Sequence, residues 1–349
     1  MARILIIKIS SLGDIIHTLP ALTEAVQHNP FLKFDWVVEE AFAEIPRWHP
    51  NVDRIIPIAL RRWRKKPYDA WKTKEWQEFY TNLRIHQYDY IIDAQGLIKS
   101  AVLSYLARGK RYGLNWHSAS EGLASLIYQH KINIASQQHA IKRVKQLFSQ
   151  ILNYSCHNLI DYGIDKTYFT KSLGNSADLE EYLVFLPNTT WPTKHWPEVY
   201  WQELAKLISK NSPMPILIPW GNTVEYARAQ RIAASSKHIQ VLPKLTLTEI
   251  AKLLTHANAV VTVDTGLGHL AAALDTPTVA LYGPTNPVLT GIHGSRQIHV
   301  AAEFSCAPCL QTDCTYKGDT HVQPACFKTI TPQRVWQELQ TITGIDKFF

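Results

Sequence analysis

Apolar residues in this chain fall into short β-branched runs separated by stretches of helical periodicity, and the alternation occurs in two series. Residues 3–9 form the first run, followed by Ser10-Ser11-Leu12-Gly13-Asp14 and an apolar-periodic segment over 15–26. Pro20 inside that segment predicts a helix that restarts or kinks, which leaves Asp14 in a short irregular stretch at the carboxyl end of the first strand. Runs at 35–38, 54–58 and 90–93 alternate with helical patterns such as 74–86, as in a doubly wound α/β domain. A second series places strands at 182–186, 216–218, 241–242, 259–263 and 278–281, with helices near 197–210, 223–235 and 246–257.

Between the two series lies a polar stretch, 161–178, containing Gly163, Gly174 and Asn175, which suits a linker. The expected division is an N-terminal domain over 1–165 and a C-terminal domain over 180–330. A last helix over 331–349 starts with Thr331 and Pro332 and is expected to pack back on the first domain. Two such domains facing each other would put a cleft between Asp14 and Gly266.

The most informative stretch is 258–287. Its strand stops at Asp264-Thr265-Gly266, where a helical pattern through Leu267, Leu270, Ala271 and Leu274 begins. Asp264 or Thr265 suits the N-cap, and Gly266 and Gly268 let a ligand approach backbone N–H groups, an anion-binding geometry. Gly266-x-Gly268-x-x-Ala271 also fits a dinucleotide fingerprint, which wants an acid about 20 residues on. None occurs between Asp275 and Glu303, so the pattern points to a phosphate and sugar site and not to NAD.

A formal charge of +7 and a pI near 9.0 favour an anionic partner. No apolar stretch approaches the roughly 18 residues of a membrane span, and the opening segment lacks a signal-peptide pattern. A cytoplasmic location, peripheral to a membrane, is expected. Cys306, Cys309, Cys314 and Cys326 cluster with His321 nearby, so zinc is a candidate ligand. Only Cys306 and Cys309 form a tight pair, and reduced thiols in a loop are the favoured reading, with no metal in the site.

Several side chains have the chemistry such a site needs. Asp14 suits a general base, while helix capping explains an aspartate there equally. Thr189, Thr190 and Lys194 suit a diphosphate, although a Thr-rich loop with one lysine is common surface. Arg61, Arg62 and Arg64 can fork onto phosphate or carboxylate oxygens, though most such runs are solvated. His269 lies on the opening turn of the 266 helix, where a buried structural histidine is the commoner case. Glu225 suits a ribose or an exposed first helical turn. The run Lys142-Arg143-Val144-Lys145 reads as an exposed helix face, and without a helix-turn-helix or RNP-like motif no nucleic acid partner is expected.

Taken together, the segments 6–20, 34–40, 61–64, 92–97, 194–197 and 263–270 closely resemble the lipopolysaccharide heptosyltransferases of glycosyltransferase family 9. The Trp36 and Arg61 segments resemble members that add the first heptose. The likeness covers nearly the whole chain and implies a GT-B fold, two Rossmann-like domains across a cleft. It also implies inverting transfer of L-glycero-D-manno-heptose from ADP-heptose to the first Kdo of Kdo2-lipid A at the inner membrane, with no cofactor required. Asp14 then matches the base, and Ser10, Arg61, Arg62 and Arg64 match acceptor contacts. Thr189, Thr190 and Lys194 match diphosphate contacts and Glu225 a ribose contact. Leu245 stands near the adenine, Asp264 matches a heptose-hydroxyl ligand, and Thr265, Gly266 and His269 match the phosphate-side helix terminus. The alternatives are a family 9 enzyme adding heptose to heptosylated core, or a non-catalytic nucleotide-sugar or nucleic-acid binder.

Overall fold

In the first strand, Arg3–Ile7, four consecutive residues from Ile4 onward are fully buried, so both faces must be covered, as in a parallel sheet flanked by helices. A computed structural model describes residues 2–66, 68, 72–169 and 181–344. Contacts divide the chain into two units between Asp165 and Lys166, inside the expected linker, whose later part from residue 170 on lies outside the described residues.

The first unit holds a six-stranded parallel sheet of β1 (Arg3–Ile7), β2 (Lys33–Glu39), β3 (Val52–Ile58), β4 (Tyr88–Asp93), β5 (Gly109–Leu114) and β6 (His130–Ile132), in the order β3-β2-β1-β4-β5-β6. Leu5 and Ile7 pack with Val37, Ile56, Phe79 and Leu103 on one face. Buried Asp35 in β2 is neutralised by Arg3 at 2.8 Å and Arg54 at 3.1 Å, which ties β1 to β3. Pro20 acts as expected: the helix Leu12–Ile16 ends and a second, Leu19–His28, starts with the proline in its first turn.

Two expectations need correction. Asp14 sits in a regular short helix, not an irregular segment. The basic run at 142–145 is solvated only at Lys142. Within the helix Ala140–Leu152, Lys145 is buried beside Glu24 at 3.3 Å and donates to the His157 carbonyl at 2.7 Å, and Arg143 donates to the Ser118 carbonyl. Apolar neighbours on this strongly amphipathic helix carry the two cations inward, and each finds acceptors there.

The second unit repeats the topology with β7 (Leu183–Leu186), β8 (Ile216–Ile218), β9 (Ile239–Val241), β10 (Ala259–Val263), β11 (Thr278–Tyr282) and β12 (Gln297–Ala301), in the order β12-β11-β10-β7-β8-β9. Each sheet therefore changes direction between its first and fourth strands, where open α/β sheets bind ligands at the carboxyl ends. The helix Pro332–Thr343, capped by Thr331, packs on the helix Glu198–Asn211 and on β10, β11 and β12 of its own unit.

Candidate functional site

The switch point of the first unit lies between β1 and β4, and the loops leaving both strands are tied together. Gln95, after β4, accepts from the N–H groups of Ile9 and Ser10 through Oε1 at 3.1 and 3.2 Å. Buried Asp93 in turn accepts from the N–H groups of Gln95 and Gly96 and from the Tyr128 hydroxyl. Burial pushes the Asp93 carboxyl above its ordinary range, against the opposing pull of these donors.

On this frame, Asp14 Oδ2 accepts from both the backbone N–H and the hydroxyl of Ser11, each at 2.8 Å. The carboxylate thus steadies the start of its helix and remains 41% exposed, with the nearly buried Lys8 ammonium 3.7 Å from Oδ1. Lys8 is fixed by the Ala94 carbonyl at 3.0 Å. Capping and availability to a substrate coexist here.

The arginines differ among themselves. In the helix Leu60–Lys65, Arg62 forks onto Glu40 at 3.1 and 2.9 Å and reaches Glu75 at 2.9 Å, while Trp63 Nε1 donates to Glu75 at 2.6 Å. The Arg62 hydrogen bond, followed by that of Trp63, holds the Glu75 carboxyl down at about 2. Arg61 lies over the Phe42 ring at 5.2 Å, with its N–H on Glu39, and Arg64 is exposed. Ser10 is half-buried on the Asp14 loop.

The second unit has its switch point between β7 and β10, where Thr189, Lys194, Asp264 and His269 converge. Lys194 Nζ is 2.8 Å from Asp264 Oδ2, Thr189 donates to the Asp264 carbonyl at 3.0 Å, and His269 Nε2 is 3.9 Å from Asp264 Oδ1. Lys194 also lies over the Trp191 ring at 4.6 Å. Thr265 is the N-cap of the helix Gly266–Ala273, and Thr190 is exposed on the neighbouring loop. Glu225 accepts from Gly221 N–H and Asn222 Nδ2 at the start of the helix Thr223–Ala233. Leu245 is half-buried in the loop after β9.

Lys8, Gln95, Asn188 and Thr285 were not foreseen as site residues. Both amide atoms of Asn188, just after β7, are buried without a hydrogen-bond partner among the described residues, as is the Thr285 hydroxyl after β11. The available signal was positional: polar residues directly after buried strands. Among the described residues the five cysteines are free thiols, and no group of three or more His, Cys, Asp or Glu side chains stands as a metal-ligating cluster. Cys306, Cys309, Cys314 and Cys326 line one cavity of about 320 Å³, and burial beside the other three thiols pushes Cys326 up to about 12.

A pair of Rossmann-like units, each with polar groups gathered at its switch point, is the architecture of a nucleotide-sugar enzyme, and residues 76–319 match the family model described as glycosyltransferase family 9 (heptosyltransferase). The chain belongs to that family and is a glycosyltransferase. It is 48% identical to lipopolysaccharide heptosyltransferase 1 from Pseudomonas aeruginosa, over 97% of this chain and 98% of that protein. Among solved structures it resembles the Escherichia coli heptosyltransferase WaaC with ADP, at 43% identity and a TM-score of 0.85, over 97% of this chain and 99% of that one. The same enzyme with ADP-2-deoxy-2-fluoro heptose gives a TM-score of 0.82, with the same identity and coverage.

Proposed function

We infer that this chain transfers L-glycero-D-manno-heptose from ADP-heptose to the first Kdo of Kdo2-lipid A, with inversion, in assembly of the lipopolysaccharide inner core. The observation that carries this reading is the near-full-length 48% identity to a lipopolysaccharide heptosyltransferase 1.

In this reading Asp14 takes the proton from the acceptor hydroxyl as the oxygen attacks the anomeric carbon. The bond from that carbon to the diphosphate oxygen breaks, and its electron pair leaves with ADP. The Lys8 ammonium stands 3.7 Å from the Asp14 carboxylate and holds it in place. Lys194, Thr189, Thr190 and the N–H groups opening the helix at Gly266 receive the departing charge, with Thr265 and His269 beside them. Asp264, Asn188 and Thr285 offer acceptors and donors for heptose hydroxyls, and Glu225 and Leu245 flank the nucleoside. The chemistry asks for no cofactor, because the leaving diphosphate meets an ammonium and oriented dipoles.

Arg61 and Arg64 face the carboxylate and phosphates of the acceptor, while Arg62 holds their helix through Glu40 and Glu75. The enzyme then works peripherally on the cytoplasmic face of the inner membrane, where that acceptor lies.

Incubation with ADP-heptose and Kdo2-lipid A, followed by mass analysis, tests the assignment. One added heptose, with matching ADP release, is the expected result. Addition only to an already heptosylated core would replace the acceptor, and donor binding without turnover on either acceptor would remove the catalytic reading.

A further inference from the structure

Six of the eighteen exposed large hydrophobic side chains among the described residues fall within 98–126. They are Ile98, Val102 and Tyr105 in the helix Ile98–Leu106, Trp116, and Leu123 and Leu126 in the 3-10 turn Gly122–Leu126. Spacings of four and three put the helical three on one stripe. That stripe and the turn run side by side. Ile98 N–H donates to Glu121 at 2.6 Å, Ala101 packs with Ala124, and Arg111 lies over the Tyr105 ring at 5.4 Å while donating to the Ile127 carbonyl. A methyl group on Gly122 would meet the Trp116 indole at 3.0 Å, which seats Trp116 against the same turn.

The exposure is considerable: 66% for Leu126, 64% for Tyr105 and 53% for Leu123. Charge along this segment is almost all of one sign. From 98 to 131 the chain carries Lys99, Arg108, Lys110, Arg111 and Lys131 against the single acid Glu121, which is engaged with the helix start. Apolar residues, an indole and a phenol rimmed by cations suit the boundary between acyl chains and anionic headgroups. The helix begins three residues after Gln95, whose side chain holds the backbone ahead of Asp14, so the patch adjoins the acceptor end of this unit.

We propose that the helix Ile98–Leu106 and the turn Gly122–Leu126 form the face by which the first unit docks on an anionic phospholipid bilayer. The choice of a bilayer rests on the reading above that the acceptor is a membrane lipid, and on the complementary charge.

Flotation of the full chain with vesicles of phosphatidylethanolamine and phosphatidylglycerol tests the docking independently of turnover. The Leu123→Glu/Leu126→Glu variant, altered only at exposed positions, is expected to partition at least about tenfold less. Its turnover of a deacylated, soluble Kdo-containing acceptor should match the parent, while turnover of vesicle-borne Kdo2-lipid A falls. Equal partitioning of variant and parent, equal binding to neutral phosphatidylcholine vesicles, or a parent that does not float would each overturn the proposal. So would sedimentation showing that the parent self-associates through this face and the variant does not. Absence of turnover by the parent on any Kdo acceptor would count against the assigned reaction and leave the flotation result standing by itself.

Discussion

Asp14 serves its own helix and, in the proposed mechanism, the acceptor, and the two roles separate by substitution. Asp14→Ala removes the bonds to Ser11, and Ser11 can cap the helix alone, so the expected stability loss is only about 1 kcal/mol. Turnover should fall by at least about 100-fold with ADP-heptose affinity unchanged, read by ADP release and calorimetry. Near-normal turnover would take the base role away from Asp14. Lys194 behaves differently, because its partner is almost fully buried. Lys194→Ala leaves Asp264 at 7% side-chain exposure without the ammonium 2.8 Å away, so stability should drop by about 3 kcal/mol together with donor affinity. Parent-like melting in thermal denaturation would mean that the pair adds little to the fold.

Among the elements, the helix Gly266–Ala273 depends most on its smallest residues. A Cβ on Gly268 would stand 2.9 Å from Thr262 Cγ2 in the preceding strand, so Gly268→Ala must displace either the buried Thr262 side chain or the helix start. The expected result is a stability loss of about 1–3 kcal/mol and weaker ADP binding, measured by denaturant unfolding and calorimetry. Unchanged binding would show that the N–H groups of that turn do not meet the diphosphate. The helix Leu60–Lys65 illustrates the reverse arrangement, in which side chains fix the element. Buried Glu39 accepts from Arg61 N–H, and Glu40 and Glu75 grip Arg62 from two sides.

At the scale of the molecule, pH dependence of the first unit should run through His49. Burial pushes its pKa down from 6.5 to about 4. Nδ1 accepts from Asn51 N–H, which leaves the proton on Nε2, 3.1 Å from the Thr23 hydroxyl. The folded state holds His49 neutral while the unfolded chain takes up a proton near 6.5, so its contribution is complete above that pH. As pH falls from about 6.5 to about 4 the contribution is lost, at most about 3 kcal/mol. Melting measured across this window should show the decline, and His49→Gln should flatten it. A slope unaffected by the substitution would assign the effect elsewhere.

Periodicity located the fully buried strands closely, since 216–218 and 259–263 coincide with β8 and β10, because residues buried on both faces leave unbroken apolar runs. β5, β6 and β12 escaped notice. GKRYGL, HKI and QIHVA mix polar residues into strands toward or at the sheet margins, where burial no longer demands an apolar run. Chain order and residue type alone determined the two α/β units and the acid, hydroxyl and ammonium groups that follow their strands. Only the folded arrangement decided which of those groups are already engaged: Lys194 on Asp264, Arg62 on two glutamates, Lys145 inside the first unit. Partners of a charge are chosen by distances across strands and helices far apart in sequence, and a linear pattern carries no information about those distances.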